Sequence, residues 1–186
     1  MTRIEAEATR MSVLVDDLLT LARLDRGREL RREPVDLVPL ARDLVNDARV
    51  VAPDRPIALE SDGPVVIEGD DPALRQVVGK LIANARVHTP AGTPVTVRVR
   101  AEEGRGVVEV ADRGPGLTPE QAARVFERFF RADPSGARTS GGSGLGLSIV
   151  AAVAEAHGGS AEVDSELGTG ATFRIALPLA TGGSAR

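Results

Sequence analysis

Three short stretches carry residue types at spacings that could do chemistry. In Asp112-Arg113-Gly114-Pro115-Gly116 a carboxylate comes directly after the run GVVEVA, with two glycines close behind. Glycine lets the backbone come close to a ligand. A shielded carboxylate only accepts hydrogen bonds, so it would select an amino group such as that of adenine, and a wrong ligand would leave it unpaired. In Gly141-Gly142-Ser143-Gly144-Leu145-Gly146-Leu147 a glycine run opens an apolar, helix-like segment. Free N–H groups at the positive end of a helix make an anion site, and glycine lets phosphate reach them. No Gly-Lys-Ser/Thr follows and no strand comes immediately before, so neither the Walker pattern nor the dinucleotide fingerprint is present. Lys80, Asn84 and His88 are spaced by four and share one helix stripe. An amide oxygen at Asn84 could complete a Mg²⁺ shell beside waters and phosphates. Taken singly, each stretch has a plain alternative: a tight turn, a flexible glycine loop, a polar helix face.

These residues need elements to hold them. Residues 1–25 read as one amphipathic helix, with Ile4, Ala8, Met11, Val15, Leu18 and Ala22 in alternating steps of four and three. Leu14, Leu19 and Leu21 widen that stripe to the breadth of a multi-helix bundle. No partner helix is evident beside it, so its partner is expected from another molecule or another segment. An Arg-rich connection, RGRELRREP, follows. Asp36 can cap a helix bearing Leu37, Leu40, Leu44, Val45 and Ala48, and short strands are expected near 57–60 and 65–68. Asp70 or Asp71 with Pro72 starts a helix to about 89, with Leu74, Val77, Val78, Leu81, Ile82 and Ala85 inward. Val95, Val97 and Val99 alternate with polar residues in a hairpin running into GVVEVAD. Thr118-Pro119-Glu120-Gln121 is a capping box for a helix expected to carry Val125 and Phe126. A helix over about 145–157 stops at Gly158-Gly159, with His157 read as a structural base complementing its dipole. A hairpin of SAEVD with ATFRIALPL closes the chain. The sum is an α+β chain: a two-layer α/β sandwich, sheet on one side and helices on the other, preceded by one long amphipathic helix.

Composition narrows the function. Over 186 residues, 42% hydrophobic and 27% charged content is that of a folded protein with one substantial core. A net charge of −4 argues against a nucleic-acid footprint. The absence of Cys removes disulfides, thiolate metal sites and thiol nucleophiles, and two His leave little for a His-rich metal cage. No apolar run approaches the roughly 18 residues of a membrane span, so a soluble, cytoplasmic chain is expected. Lys80 is the only lysine among 23 basic residues, and three of the four Phe (Phe126, Phe129, Phe130) cluster within five positions.

Taken in order, these segments resemble the ATP-binding domain of two-component sensor histidine kinases, in the superfamily shared with type II topoisomerases, heat-shock chaperones and mismatch-repair ATPases. KLIANARVHTP resembles the N box, DRGPG the first glycine box, VFERFFRAD the F box, GGSGLGLSIV the second glycine box and GTGATF a third. RMSVLVDDLLTLARLD looks like the second helix of the family's dimerisation and phosphotransfer hairpin. The resemblance implies a Bergerat ATP-binding fold over 35–179, with the partial hairpin at 1–26, a linker at 27–34 and a tail at 180–186. It implies ATP and Mg²⁺ as cofactors, with Asp112 binding the adenine amino group, Gly114 and Gly116 shaping that pocket and Thr172 near it. Asn84 would ligate Mg²⁺. Gly142, Gly144, Leu145 and Gly146 would present backbone to the phosphates. Phe129 and Phe130 would anchor a lid over 131–143, from which Arg131 could reach the phosphates. The implied partners are a response regulator and a second copy joined through the N-terminal helix, with the parent anchored in the bacterial inner membrane by other segments.

Three departures qualify the resemblance. The family's phosphoacceptor box, a His followed by Glu or Asp and an Arg-Thr-Pro-like run, is matched by neither His88 nor His157. This stretch alone is therefore not expected to autophosphorylate. Lys80 stands where the N box usually carries another Asn; a cation there cannot ligate Mg²⁺ but could act on a phosphate oxygen. Val87 stands where Lys or Arg is common. The catalytic part of a sensor kinase, with Asn84 and Lys80 at the reacting end, is the leading expectation. A nucleotide-binding scaffold without turnover and a Ser kinase of the anti-sigma type are the alternatives.

Overall fold

The computed structural model describes residues 3–25, 30–132 and 143–180 and, in the first helix, the side chains of residue 8 and residues 11–24. The elements in chain order are α1 (Arg3–Asp25), β1 (Glu33–Asp36), α2 (Leu37–Val51), β2 (Ile57–Ser61), β3 (Val66–Gly69), α3 (Asp71–Val87), β4 (Val95–Glu102), β5 (Arg105–Asp112), α4 (Pro119–Arg124), α5 (Gly146–Ala156), β6 (Ser160–Glu166) and β7 (Gly170–Pro178).

Alternation along the strands builds one buried and one charged sheet face. A five-stranded sheet runs in the order β2-β4-β5-β7-β6, with β2 parallel to β4 and the other pairs antiparallel. Its register aligns Val97, Val110, Phe173 and Val163 in one row and Val99, Val108, Ile175 and Ala161 in the next. These rows meet the apolar faces of α2, α3 and α5, through Leu40, Val45, Leu74, Val78, Leu81, Ile149 and Val153. The opposite face carries a row of alternating charge across all five strands: Glu60, Arg98, Glu109, Arg174, Glu162. Opposite charges on adjacent strands stabilise the register. Arg100 grips Glu109 at 2.7 and 2.8 Å, and these hydrogen bonds hold the Glu109 carboxyl below the usual carboxylate range. The β4–β5 turn uses Glu103 and Gly104, both at positive φ (49° and 77°), as a tight two-residue hairpin requires.

Helix starts follow their capping chemistry. Asp36 Oδ1 accepts from Val38 N at 3.0 Å and Asp70 Oδ1 from Ala73 N at 3.1 Å. Thr118 and Gln121 form the reciprocal capping box expected of them. The helix behind that box is shorter than expected: α4 ends at Arg124, Val125 is its C-cap, and Phe126 lies beyond it. The strand β1 begins inside the expected linker and pairs antiparallel with β3. His157 is not a cation at a helix end. It is buried, Nδ1 lies 2.7 Å from the Val153 carbonyl and Nε2 accepts from Asp70 N at 3.0 Å. One donor and one acceptor nitrogen make a neutral imidazole, and burial pushes its pKa down accordingly.

The helix α1 packs its last turns on α5. Asp17 and Leu21 are buried there, and Thr20 and Leu24 half-buried, at helical spacing on one face. Within the expected stripe Met11, Val15 and Leu18 remain exposed, and the Ile4 side chain lies outside the described residues. No helix among the described residues is long and apolar enough to cross a membrane.

Candidate functional site

Asp112 ends β5 in register with Ala171 of β7, where a cavity of about 210 Å³ opens between Asp112, Ser165, Glu166, Thr169, Gly170 and Thr172. Its Oδ1 accepts from Gly114 N at 2.8 Å. Burial pushes the Asp112 carboxyl above its usual range, while N–H groups of Gly114 and Ala171 and the charge of Arg55 pull it back. The two glycines behind it are demanded by close approach. A Cβ on Gly114 would run into Thr89. Gly116 has φ +68°, and a Cβ there would collide with the Glu166 carbonyl oxygen and lie 3.0 Å from that of Gly170. The DRGPG turn is thus pressed against both the end of α3 and the β6–β7 turn.

Arg55 braces this wall from behind. It is buried and donates to Thr89 Oγ1 at 2.5 Å and to the carbonyls of Thr93, Arg86, Thr89 and Pro90 at 2.9–3.3 Å. Five acceptors fix the loop after α3, and Thr89 is the residue against which Gly114 packs.

The half-buried stripe of α3 carries Lys80 and Asn84. Among the described residues nothing hydrogen-bonds the Asn84 side chain, while its backbone carbonyl accepts from His88 N at 3.0 Å. Lys80 is taken: Nζ donates to Asp17 Oδ1 of α1 at 2.6 Å. Among the described residues there is no group of His, Cys, Asp and Glu able to hold a metal. A lone amide oxygen fits a Mg²⁺ ion that keeps its waters and arrives with phosphates; it does not fit a metal held by protein alone.

The second glycine box leads into α5. Leu145 is the N-cap residue and no side-chain cap hydrogen bond forms there; no acidic residue lies in the first turn. Among the described residues a Cβ at Gly146 would meet nothing within 4 Å. N–H groups at the positive end of a helix, with no side-chain cap and no close neighbour among the described residues, suit an anion. Gly144 (φ +72°) passes against the backbone of Phe129, whose N–H donates to the Gly144 carbonyl at 3.0 Å. Phe129 itself holds a left-handed φ of 64°.

Residues 69–181 match the family described as Histidine kinase-, DNA gyrase B-, and HSP90-like ATPase. The chain belongs to that family. Within it, the chain is 49% identical over 180 residues to the probable sensor histidine kinase TcrY of Mycobacterium tuberculosis, covering 96% of this chain and 38% of that relative. The solved structure of full-length ShkA in complex with AMPPNP superposes with a TM-score of 0.79 at 35% identity, covering 95% of this chain and 37% of that one. The mycobacterial sensor histidine kinase MprB superposes at 0.69 with 33% identity, covering 80% of this chain and 97% of that one. The chain carries the ATP-binding catalytic domain of the sensor histidine kinase type, and it spans well under half the length of its first curated relatives.

Asp112, Gly114, Gly116 and Thr172 converge at the end of the sheet, while Asn84, Gly144, Leu145 and Gly146 adjoin the packed pair α3 and α5. Gly142 and lid residues 133–142 lie outside the described residues. Phe129 is 62% exposed, and Phe130 is half-buried with Arg124 4.9 Å from its ring centre. The ring that packs against the core is the half-buried Phe126, edge-on to Phe173 at 6.4 Å. Phe129 is joined to Gly144 through its backbone. Half-buried Arg131 sits next to Ala132, whose carbonyl accepts from Gln121 Nε2 at 3.1 Å. Sequence reasoning missed Asp17 and Arg55. Arg55 lies in Pro53-Asp54-Arg55-Pro56, which signals only a turn.

Proposed function

We propose that this chain is the ATP-binding catalytic portion of a bacterial two-component sensor histidine kinase. It would move the γ-phosphate of ATP to a His that is not among these residues, and from there the phosphate would pass to an Asp of a response regulator. The observation that carries this reading is the placing of a half-buried acceptor carboxylate and an uncapped, open helix N-terminus against one helix, α3. A carboxylate in a cavity reads the adenine amino group, and the N-terminus of α5 receives phosphate.

In this reading Asp112, held by Gly114, accepts from the adenine amino group, with Gly116 and Thr172 forming walls. Gly144, Leu145 and Gly146 offer backbone to the phosphates, and Asn84 offers the protein ligand of Mg²⁺. Bound Mg²⁺ would neutralise charge on the phosphate oxygens. The incoming imidazole nitrogen bonds to the γ-phosphorus as its bond to the bridging oxygen breaks, and ADP carries the electron pair away. Positioning and charge neutralisation supply most of the acceleration. The exposed Met11, Val15 and Leu18 would meet a second copy. The parent would be tethered at the inner membrane through other segments, with this domain on the cytoplasmic side.

The test supplies the missing acceptor. The chain is incubated with γ-labelled ATP, Mg²⁺ and a separate phosphoacceptor helix pair of a close relative. Acid-labile label on that helix, lost in Asn84→Ala, supports the reading. Tight nucleotide binding without transfer would favour a non-catalytic scaffold, the reading that Lys80 and exposed Val87 support; acid-stable phosphoserine would favour a Ser kinase.

A further inference from the structure

Asp17 stands out among the buried charges. Its side chain is 5% exposed, yet it lies on α1, outside the helical layer that covers the sheet. One oxygen accepts from Lys80 Nζ at 2.6 Å; the other lies 3.5 Å from Ser143 Oγ. Ser143 in turn accepts from Leu145 N at 3.2 Å, at the start of α5. An ammonium and a hydroxyl therefore hold one carboxylate, and through that hydroxyl the start of α5 makes a third neighbour. Those three groups recognise a phosphate oxygen equally well.

The position along α3 says which phosphate. Gly114 packs on Thr89 at the C-terminal end of α3, so the base-reading end of the pocket lies there. Lys80 lies seven residues before Val87, the last residue of α3, about 10 Å back along the axis. A nucleotide laid along this helix passes Asn84 first and brings only its last phosphate to Lys80.

We propose that Asp17 is an internal stand-in for the terminal phosphate: its carboxylate occupies an anion subsite made by Lys80 and Ser143, and a nucleoside triphosphate displaces it while a diphosphate does not. This rests on the nucleotide reading above and adds regulation of that site. The displaced carboxylate takes its support from the last turns of α1, which dock on α5 through Leu21 and Leu24. Triphosphate binding and docking of α1 then oppose each other, and linkage makes the opposition reciprocal. The only lysine of the chain acquires a use that Asn at this position could not serve, because a neutral amide would hold neither carboxylate nor phosphate by charge.

The test titrates the chain with AMPPNP and with ADP, both with Mg²⁺, in wild type and Asp17→Asn. A latch closed nine times in ten lowers apparent affinity about tenfold. Asp17→Asn is therefore expected to bind AMPPNP about tenfold more tightly, with ADP changed less than about twofold. A second measurement needs no variant: amide hydrogen exchange over 17–25 in the wild-type chain should speed up with AMPPNP and stay unchanged with ADP. Unchanged or weaker AMPPNP binding by Asp17→Asn, or undiminished protection of α1 with AMPPNP, overturns the proposal. If either occurs while both nucleotides still bind and Asp112→Asn abolishes that binding, the nucleotide site stands and only the latch falls. No binding of either nucleotide overturns both.

Discussion

Substituting Gly116 by Ala separates a close approach from a backbone preference. Gly116 has φ +68° and Gly104 φ +77°, so alanine is disfavoured at both by the same left-handed conformation, at about 1–2 kcal/mol. Their surroundings differ. A Cβ on Gly104 meets nothing within 4 Å, whereas one on Gly116 overlaps the Glu166 carbonyl oxygen, with its carbon at 2.8 Å and the Gly170 oxygen at 3.0 Å. Both carbonyls belong to backbone at the β6–β7 turn, so no side chain can rotate away. Overpacking of this kind costs about 1–3 kcal/mol. Gly104→Ala should lose about 1 kcal/mol and Gly116→Ala about 3 kcal/mol. At about 2–4 °C per kcal/mol for a chain of this size, the two midpoints should differ by about 6 °C. The chain has no Trp or Tyr, so far-UV circular dichroism is the probe. Because Glu166 and Gly170 line the cavity beside Asp112, Gly116→Ala should also weaken AMPPNP binding, which Gly104→Ala should not. Equal midpoints and equal nucleotide affinities in the two variants would refute the reasoning.

Three further outcomes follow from the same geometry. His157 is neutral when folded and its pKa is depressed by burial, so below the ordinary histidine value of about 6.5 the unfolded chain binds a proton that the folded chain refuses; stability should fall as pH drops through that range, and a melting series on His157→Gln should reduce that slope, His88, also depressed by burial, supplying the remainder. The Asp112 carboxyl is pushed above its usual range and must be ionised to act only as an acceptor, so AMPPNP affinity should decline on acidification earlier than an ordinary carboxylate would allow, and a calorimetric profile that stays flat until the ordinary carboxylate range is reached would count against its role. Arg55→Met strips the donor from four carbonyls and the Thr89 hydroxyl, which at about 1–3 kcal/mol per stranded buried group should cost several kcal/mol in urea unfolding and loosen nucleotide binding through Thr89.

The parts legible in the sequence are those whose cause is local. Asp36, Asp70 and Thr118 announce their helices because a cap acts on an N–H two or three residues away. Val95, Val97 and Val99 announce a half-buried strand because period two is the geometry of a strand. β1 was hidden because Glu-Pro-Val-Asp has no period and its partner β3 lies some thirty residues on. The same limit hid the true face of α1. Its docking side includes Asp17 and Thr20, polar residues that a hydrophobic stripe omits, and the carboxylate finds its cation 63 residues away. The resemblance points to Phe129 and Phe130, whereas the ring packed against the core is Phe126; which ring points inward depends on where α4 stops. Glycines were legible as special, and the structure supplies the reasons: Thr89 at Gly114, the Glu166 carbonyl at Gly116, the Phe129 backbone at Gly144.

The central claim is that Asp112 reads the base of a nucleotide whose phosphates lie toward Asn84 and α5. Calorimetric titration of the chain with AMPPNP and Mg²⁺, beside Asp112→Asn at the same pH, tests it most directly. One site per chain is expected in the wild type and loss of binding in the variant, whose amide presents a donor where the adenine amino group needs an acceptor. Wild-type binding that Asp112→Asn leaves intact would contradict it.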